Sequence, residues 1–224
     1  MDQHSPARQA YTAQISELEQ DVLEMASKAD SMVGRAVDSL ISLDTDAALA
    51  VVHSDNEIDR LDLDIESKCL RILALQQPMG SDLREVGAVM KIVTDLERIG
   101  DLAVDLAKSG MKIEKELGET SYVDLRRISN VSRQMIRSAL QAFIKRDGSH
   151  LTEVEELEEQ VDGMYRDLRG QIHDYMRHRP DQVVAASWLL LAVHHVERVA
   201  DHAVNIAERV GFMVTGELRQ LAED

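Results

Sequence analysis

The sequence has few of the residues that interrupt helices or form disulfides. Its 224 residues include 3 prolines, 11 glycines and one cysteine, and aromatic residues make up 3%. Because sandwiches and barrels need many turns and strands rich in aromatic residues, this composition argues against them. A single cysteine excludes an intramolecular disulfide, and the apolar helical pattern around Cys69 is typical of a buried thiol. We therefore predict an almost purely helical protein in a reducing compartment.

Positive charge is also scarce. The chain carries 25 Lys and Arg against 41 Asp and Glu, a formal net charge of -16. Such a surface repels nucleic-acid phosphates and anionic membranes, and it suits cations or a basic protein partner. The N-terminal stretch lacks the apolar core of a signal peptide, and the longest near-apolar run, 183–193, is about half the roughly 20 residues that a membrane span needs. We expect a soluble, cytoplasmic protein.

Apolar residues recur with a helical period along most of the chain, and helix-breaking residues interrupt the pattern at a few places. The main breaks are at Gln77–Pro78, Gly118–Ser121, Asp147–Ser149 and Arg179–Pro180. Ser121 and Asp124 resemble a capping box, so we expect Ser121 to cap the fourth helix. The pattern predicts six helices, over 8–43, 46–76, 79–117, 122–146, 150–178 and 181–220.

The two halves of the chain repeat one another. The segment DLERIGDLAVD at 95–105 returns as HVERVADHAVN at 195–205. A repeat of this length indicates one supersecondary unit duplicated, and short turns make neighbouring long helices antiparallel. The predicted fold class is all-α, with two tandem up-and-down three-helix bundles. We place a first domain at 1–118 and a second at 119–224.

Pairs of acidic residues spaced four apart recur beside the apolar stripe of four predicted helices. The pairs are Asp55 and Asp59, Glu97 and Asp101, Glu158 and Asp162, and Glu197 and Asp201. Residues four apart share a helix face, and the pairs of each bundle lie about equally far from the turn between them, so an antiparallel hairpin brings four carboxylates level. Such carboxylates repel one another unless protons, arginines or cations compensate. Because carboxylates on facing helices bind iron or manganese in other bundles, we predict one metal site per bundle.

Two simpler interpretations stay open. Acids four apart often form a solvated helix face, and Arg98 or Arg198 could neutralise their neighbours, which would leave a metal-free helical scaffold. Alternatively, His195 could accept a phosphoryl group if the protein were a helical phosphotransfer domain. Catalysis is disfavoured because a di-iron oxidase needs Glu-x-x-His, which the sequence lacks, as it lacks a glycine-rich phosphate loop, Cys-x-x-Cys and a Ser/His/Asp signature. We expect no enzyme.

These repeated segments resemble the PhoU family of phosphate-uptake regulators. The likeness covers nearly the whole chain. Three segments carry it: 73–107, its weaker copy at 177–208, and the Asp-Asn-Glu-Ile-Asp segment that begins at Asp55. It implies a non-enzymatic adaptor that restrains phosphate import and the phosphate-starvation response. The implied partners are the ATPase subunit of the phosphate transporter, PstB-like, and a PhoR-like sensor histidine kinase.

The resemblance also implies bound metal ions at the same eight carboxylates. Iron or zinc is the first expectation, with manganese or magnesium as further candidates. The second bundle departs from the first at three acidic positions, with Asn205 for Asp105, Tyr165 for Asp62 and Arg169 for Glu66. These replacements imply that the second site is the weaker one. A homodimer is expected as well, for which apolar positions on the first and fourth helices could provide the contact.

Overall fold

The computed structural model describes residues 6–116, 118–217 and 221. The helices are α1 (Pro6–Ser42), α2 (Thr45–Gln76), α3 (Ser81–Lys115), α4 (Leu125–Lys145), α5 (Leu151–His178) and α6 (Val183–Thr215). Single 3-10 turns at Gly148–His150 and Pro180–Gln182 lead into α5 and α6. Within the described ranges there is no strand, so the predicted fold class is confirmed.

The six helices form two three-helix bundles. In the first bundle α1, α2 and α3 pack on one another, and in the second α4, α5 and α6 do the same. The bundles join along α3 and α6, whose contact is the most extensive in the fold, and α1 packs on α4 beside it. One continuous apolar core runs through both bundles because each helix places a stripe of Leu, Ile, Val, Met and Ala inward.

The first turn of each bundle is built in the same way. Leu43 and Arg146 adopt left-handed conformations with φ of 54° and 52°, at the ends of α1 and α4. An aspartate comes directly after each of them and caps the next helical segment: Asp44 accepts a hydrogen bond from the backbone N–H of Ala47, and Asp147 accepts one from the N–H of Ser149. A left-handed residue ends a helix and an aspartate begins the next, so the repeat extends to the turns.

The connection between α3 and α4 differs from the prediction. Asp124 is itself the N-cap, accepting a hydrogen bond from the backbone N–H of Arg127, so the predicted capping role of Ser121 is wrong. Gly118 lies so close to α6 that a Cβ there would be 2.4 Å from the Cβ of Ala185. The glycine is thus needed for packing rather than for a positive φ. The domain boundary between 118 and 119 stays a prediction.

The last helix ends earlier than predicted. α6 stops at Thr215, and Gly216 follows with φ 79°, the left-handed C-cap for which glycine is favoured. Residues 218–220, which the prediction included, lie outside the described residues, as does residue 117 at the predicted end of the third helix.

The stretch Pro180–Thr215 is long and apolar enough to cross a membrane by length and composition. This is weak evidence for a span, because a core helix passes the same test. α6 packs against α3, α4 and α5, which accounts for much of its apolar character. The same stretch also leaves some apolar side chains exposed, among them Val184 and Leu191.

The two bundles meet with opposite charges. α4 contains no Asp or Glu, whereas α1 and α3 present carboxylates toward it. The ion pairs across this contact are Arg126 with Asp38, Arg133 and Arg137 with Asp30, and Arg146 with Glu19 and Glu85. Among the described residues of α1 and α4, only Ile144 is a strongly exposed large hydrophobic. The exposed surfaces of these two helices therefore offer few apolar side chains for a dimer contact. The homodimer stays a prediction.

Candidate metal centre in each bundle

Asp55 lies where α2 packs closely on α3 at Gly100. A Cβ added to Gly100 would be 3.2 Å from the Ile58 side chain and 3.4 Å from Oδ1 of Asp55. The absence of a side chain at this glycine lets the aspartate lie against α3. Burial raises the pKa of Asp55, and the charges of Asp59, Asp101 and Asp105 raise it further.

Glu97 completes the first cluster of Asp55, Asp59, Glu97 and Asp101. Its side chain is 24% exposed. Burial raises its pKa most, followed by the charge of Asp101, while Arg98 opposes the shift and the α2 residues Asp62 and Asp59 add to it. Carboxylates of α2 and α3 therefore lie within electrostatic range of each other, as the sequence predicts, although Asp59 is exposed at the rim.

The second cluster consists of Glu158, Asp162, Glu197 and Asp201, on α5 and α6. Burial raises the pKa of Glu158 to about 7, with further contributions from Asp162 and Asp201. Burial is also the main cause of the raised pKa of Glu197 and of Asp201. At neutral pH a proton therefore competes with any cation for Glu158.

One carboxylate oxygen in the second cluster lacks a hydrogen bond. Oε2 of Glu197 is buried and accepts none from the part of the chain that the structure describes. Nδ1 of His194 lies 3.0 Å away, without hydrogen-bond geometry. A buried carboxylate oxygen without a donor is costly, so this position favours a cation or a proton.

Arginines partly neutralise both clusters. Nη1 of Arg98 donates to Oδ2 of Asp101 at 2.8 Å, and Arg198 makes the corresponding contact with Asp201 at 3.3 Å. Both pairs join residues three apart on one helix and are partly exposed, so each contributes little to stability. The metal-free interpretation thus has a physical basis, since a cation must displace these contacts or share the aspartates with them.

The side chains in each cluster are of a type that binds metal ions, but they are not arranged for it in this structure. Across 6–116, 118–217 and 221, no three His, Cys, Asp or Glu side chains are grouped so that they could hold a metal ion. Yet each cluster offers carboxylate oxygens from two facing helices, which are ligands for hard and borderline cations. Ligation would require these side chains to move closer together, with the arginines either displaced or sharing the aspartates. The eight ligand residues stay a prediction.

Two histidines of α6, His195 and His202, lie near acidic residues of α3, at the contact between the bundles. His195 is partly buried, burial lowers its pKa, and the charge of Asp105 opposes that shift. Phosphotransfer requires an accessible imidazole, so this position gives that interpretation no support. His202 and Asn205 instead face Asp95, at 2.9 and 3.2 Å from its Oδ1.

Asp95 is a partner of α6 that sequence reasoning missed. Asn205 faces this residue across the bundles, whereas the charge of Asp105 reaches Asp55 in the first cluster. The sequence offered only an indirect signal: Asp95 and His195 occupy corresponding positions of the repeat but differ in side chain. The relative strength of the two metal sites stays a prediction.

Comparisons with known proteins cover both bundles. The family model described as PhoU domain matches residues 22–110 and 125–210. A Pseudomonas putida protein named phosphate-specific transport system accessory protein PhoU homolog is 34% identical over 210 residues, 93% of this chain and 82% of that relative.

Two solved structures share the architecture at similar identity. PhoU from Pseudomonas aeruginosa has a TM-score of 0.87 and 33% identity, covering 92% of this chain and 100% of that one. The phosphate transport system regulatory protein PhoU from Streptococcus pneumoniae has a TM-score of 0.86 and 30% identity, with 93% and 99% covered. Because both bundles match the family model and these relatives share the sequence and the fold over most of their length, the chain belongs to the PhoU family.

Proposed function

We propose that this protein is a non-enzymatic negative regulator of phosphate uptake and of the phosphate-starvation response. Its relatives are named as accessory or regulatory proteins of phosphate transport, and it shares most of their length and their fold. As an adaptor in the cytoplasm it docks on a PstB-like transporter ATPase and on a PhoR-like sensor kinase. Long helices suit this role because they present extended, rigid charged faces to two partners.

Each bundle binds a metal ion between its second and third helices. The supporting observation is the duplicated set of facing carboxylates, in which burial and the charges of neighbouring acids raise the pKa values of five: Asp55, Glu97, Glu158, Glu197 and Asp201. Asp55, Asp59, Glu97 and Asp101 hold the first ion, and Glu158, Asp162, Glu197 and Asp201 hold the second. Iron or zinc fits best, with manganese or magnesium as alternatives.

The metal serves structure and recognition in this proposal. An ion with ligands on two helices would fix α2 to α3 in the first bundle and α5 to α6 in the second. Its positive charge would also lower the repulsion between the carboxylates within each cluster. A bound ion also supplies a Lewis-acid position that a phosphate oxygen could occupy. The protein itself contributes the carboxylate ligands and keeps Arg98 and Arg198 beside them.

The regulatory role is tested by deleting the gene in the source organism. Starvation genes should then stay expressed in high phosphate, and a plasmid copy of the wild type should restore repression. A copy with Glu97→Gln and Glu197→Gln tests whether the clusters are needed, with Asp64→Asn as the matched acidic control on an exposed face of α2. Normal repression in the deletion strain would reject the proposal, provided that no second copy of the gene is present.

A further inference from the structure

The two bundles carry a surface groove at corresponding places, with opposite chemistry. The first groove lies between α2 and α3, has a volume of about 300 Å³ and includes Asp62, Glu66, Met90, Lys91 and Thr94. The second lies between α5 and α6, has a volume of about 460 Å³ and includes Tyr165, Arg169, Trp188, Leu190, Leu191 and His194. Duplication has preserved the position of the groove but not its lining.

The replacements convert an acidic wall into an apolar and basic one. Tyr165 and Arg169 stand in place of two carboxylates, and Leu191 stands in place of Lys91. The Arg169 guanidinium lies over the Tyr165 ring, 5.6 Å from its centre. This stacking holds a cation at the edge of an apolar surface.

Two cations border the second groove without a carboxylate partner. Nζ of Lys112, near the end of α3, lies 6.0 Å from the centre of the Trp188 ring. In the described part of the chain neither Lys112 nor Arg169 has a carboxylate oxygen within 4.0 Å. Arg169 and Lys112 thus give this groove a positively charged edge on a chain with a net charge of -16.

An apolar stripe along α6 extends the groove. Val184, Trp188 and Leu191 are spaced four and then three residues apart, so they share one helix face. Val184 is 54% exposed and Leu191 38% exposed. Contiguous exposed apolar surface with a polar rim is typical of a protein or peptide interface.

The charges of the chain select among the possible occupants. An anionic membrane surface would meet a protein of net charge -16, which disfavours binding. A second copy joined through this groove about a two-fold axis would bring identical cations together, on two chains of the same net charge. A partner segment with both apolar and acidic side chains matches the groove and both cations.

We propose that the α5–α6 groove binds an amphipathic helix of a partner protein, whose apolar face fills the groove and whose carboxylates meet Arg169 and Lys112. Apolar anchors at i, i+4 and i+7 would lie along the stripe on α6, as in other helix-in-groove complexes. The groove includes none of the eight clustered carboxylates, and the proposal needs neither metal binding nor phosphate regulation.

Two synthetic peptides and the full-length protein provide the test. Both fluorescein-labelled peptides carry leucine or tryptophan at i, i+4 and i+7; one has glutamate and the other lysine at the remaining outward positions. Fluorescence polarisation at low salt should show the acidic peptide binding about tenfold more tightly or better. The net charge of -16 predicts the opposite order, so an acidic preference has to come from the groove.

Variants localise the binding. Leu191→Gln, which removes an apolar contact without adding a charge, should weaken the acidic peptide about tenfold or more. Arg169→Glu should reverse the preference between the peptides. The control is Leu70→Gln, which changes a leucine that is 51% exposed on α2, outside the groove, and should leave binding unchanged. Both groove residues are exposed, and circular dichroism and the melting temperature check that the variants fold.

Several outcomes would overturn the proposal. They are tighter binding of the basic peptide, unchanged binding in Arg169→Glu, and equal losses in Leu191→Gln and Leu70→Gln. A dimer that Leu191→Gln converts to a monomer would assign the groove to a second copy instead. Binding of the wild type, but not of Leu191→Gln, to phosphatidylglycerol vesicles would assign it to a membrane surface.

Discussion

Nδ1 of His202 lies 2.9 Å from Oδ1 of Asp95, across the contact between α3 and α6. The side chains are 14% and 16% exposed, so the pair is mostly shielded from water. The repeat does not duplicate it, because Leu102 corresponds to His202 and His195 corresponds to Asp95. The pair between His202 and Asp95, which has no counterpart in the repeat, is a specific polar contact within the mainly apolar surface that joins the bundles.

Replacing His202 tests how much this pair contributes. His202→Leu, which copies the residue of the other repeat, leaves the shielded Asp95 carboxylate with Asn205 as its remaining partner. The free energy of unfolding should fall by about 1–3 kcal/mol, the usual cost of removing one partner of a shielded polar pair. Urea denaturation measures the change. His53→Leu, at an exposed position, is the control and should change stability by less than about 0.5 kcal/mol. A loss no larger than that of the control would show that the pair is incidental.

Replacing Asp30 tests whether ion pairs between the two bundles stabilise the fold. Its carboxylate is 18% exposed and accepts hydrogen bonds from Nε and Nη2 of Arg133 at 2.8 and 3.0 Å. Asp30→Asn should lower the free energy of unfolding by about 1–3 kcal/mol, because the mostly buried Arg133 loses its counter-charge. Asp38→Asn, whose pair with Arg126 is exposed on both sides, should cost less than about 0.5 kcal/mol. Equal losses in the two variants would contradict a special role for Asp30.

Glu158 provides a pH test on protein freed of metal with a chelator. The folded-state pKa of Glu158 is about 7, against 4.5 as its ordinary value, so the fold binds this proton more tightly than the unfolded chain does. Ionising Glu158 in the folded state therefore lowers the free energy of unfolding. This loss of stability is absent well below pH 4.5, grows as the pH rises and is complete above about pH 7.

Glu158→Gln removes that loss of stability, so the variant should be more stable than the wild type at high pH and should lose its advantage in acid. At about pH 8 the gain should be about 1–2 kcal/mol, less than the full pKa shift implies, because water partly screens the side chain. Chemical denaturation at pH 5 and pH 8 measures both points, with Glu159→Gln on the exposed face of α5 as the control. A gain that is the same at both pH values would indicate a cause other than titration.

The sequence predicted features that depend on local pattern and helix register. Glu97 and Glu197 lie beside the acids of the preceding helix because equal distances from a turn put antiparallel residues level. The end of α2 at Gln76 was predictable, since Pro78 disfavours helical continuation there. These inferences needed only the helical period and the positions of the turns.

Features that depend on packing between distant segments could not be predicted in the same way. Ser121 and Asp124 are both good caps, and tertiary contacts decide between them, including Thr120 Oγ1 donating to the carbonyl of Ile41. The pairing of Asp95 with His202 depends on how α3 lies on α6, and both helices are apolar on more than one face. The stripe of Val184 and Leu191 looks like core in sequence because periodicity does not distinguish buried from exposed apolar faces.

Measuring the metal content of the purified protein is the most direct test of whether the two carboxylate clusters bind metal ions. Protein purified without an affinity resin should contain one ion per bundle by elemental analysis, and a chelator should remove both and lower the melting temperature. Glu97→Gln should reduce the content by the ion of the first bundle alone, and Glu197→Gln by that of the second. Protein that contains no metal, binds none on addition of iron or zinc, and melts at the same temperature with chelator would contradict the account.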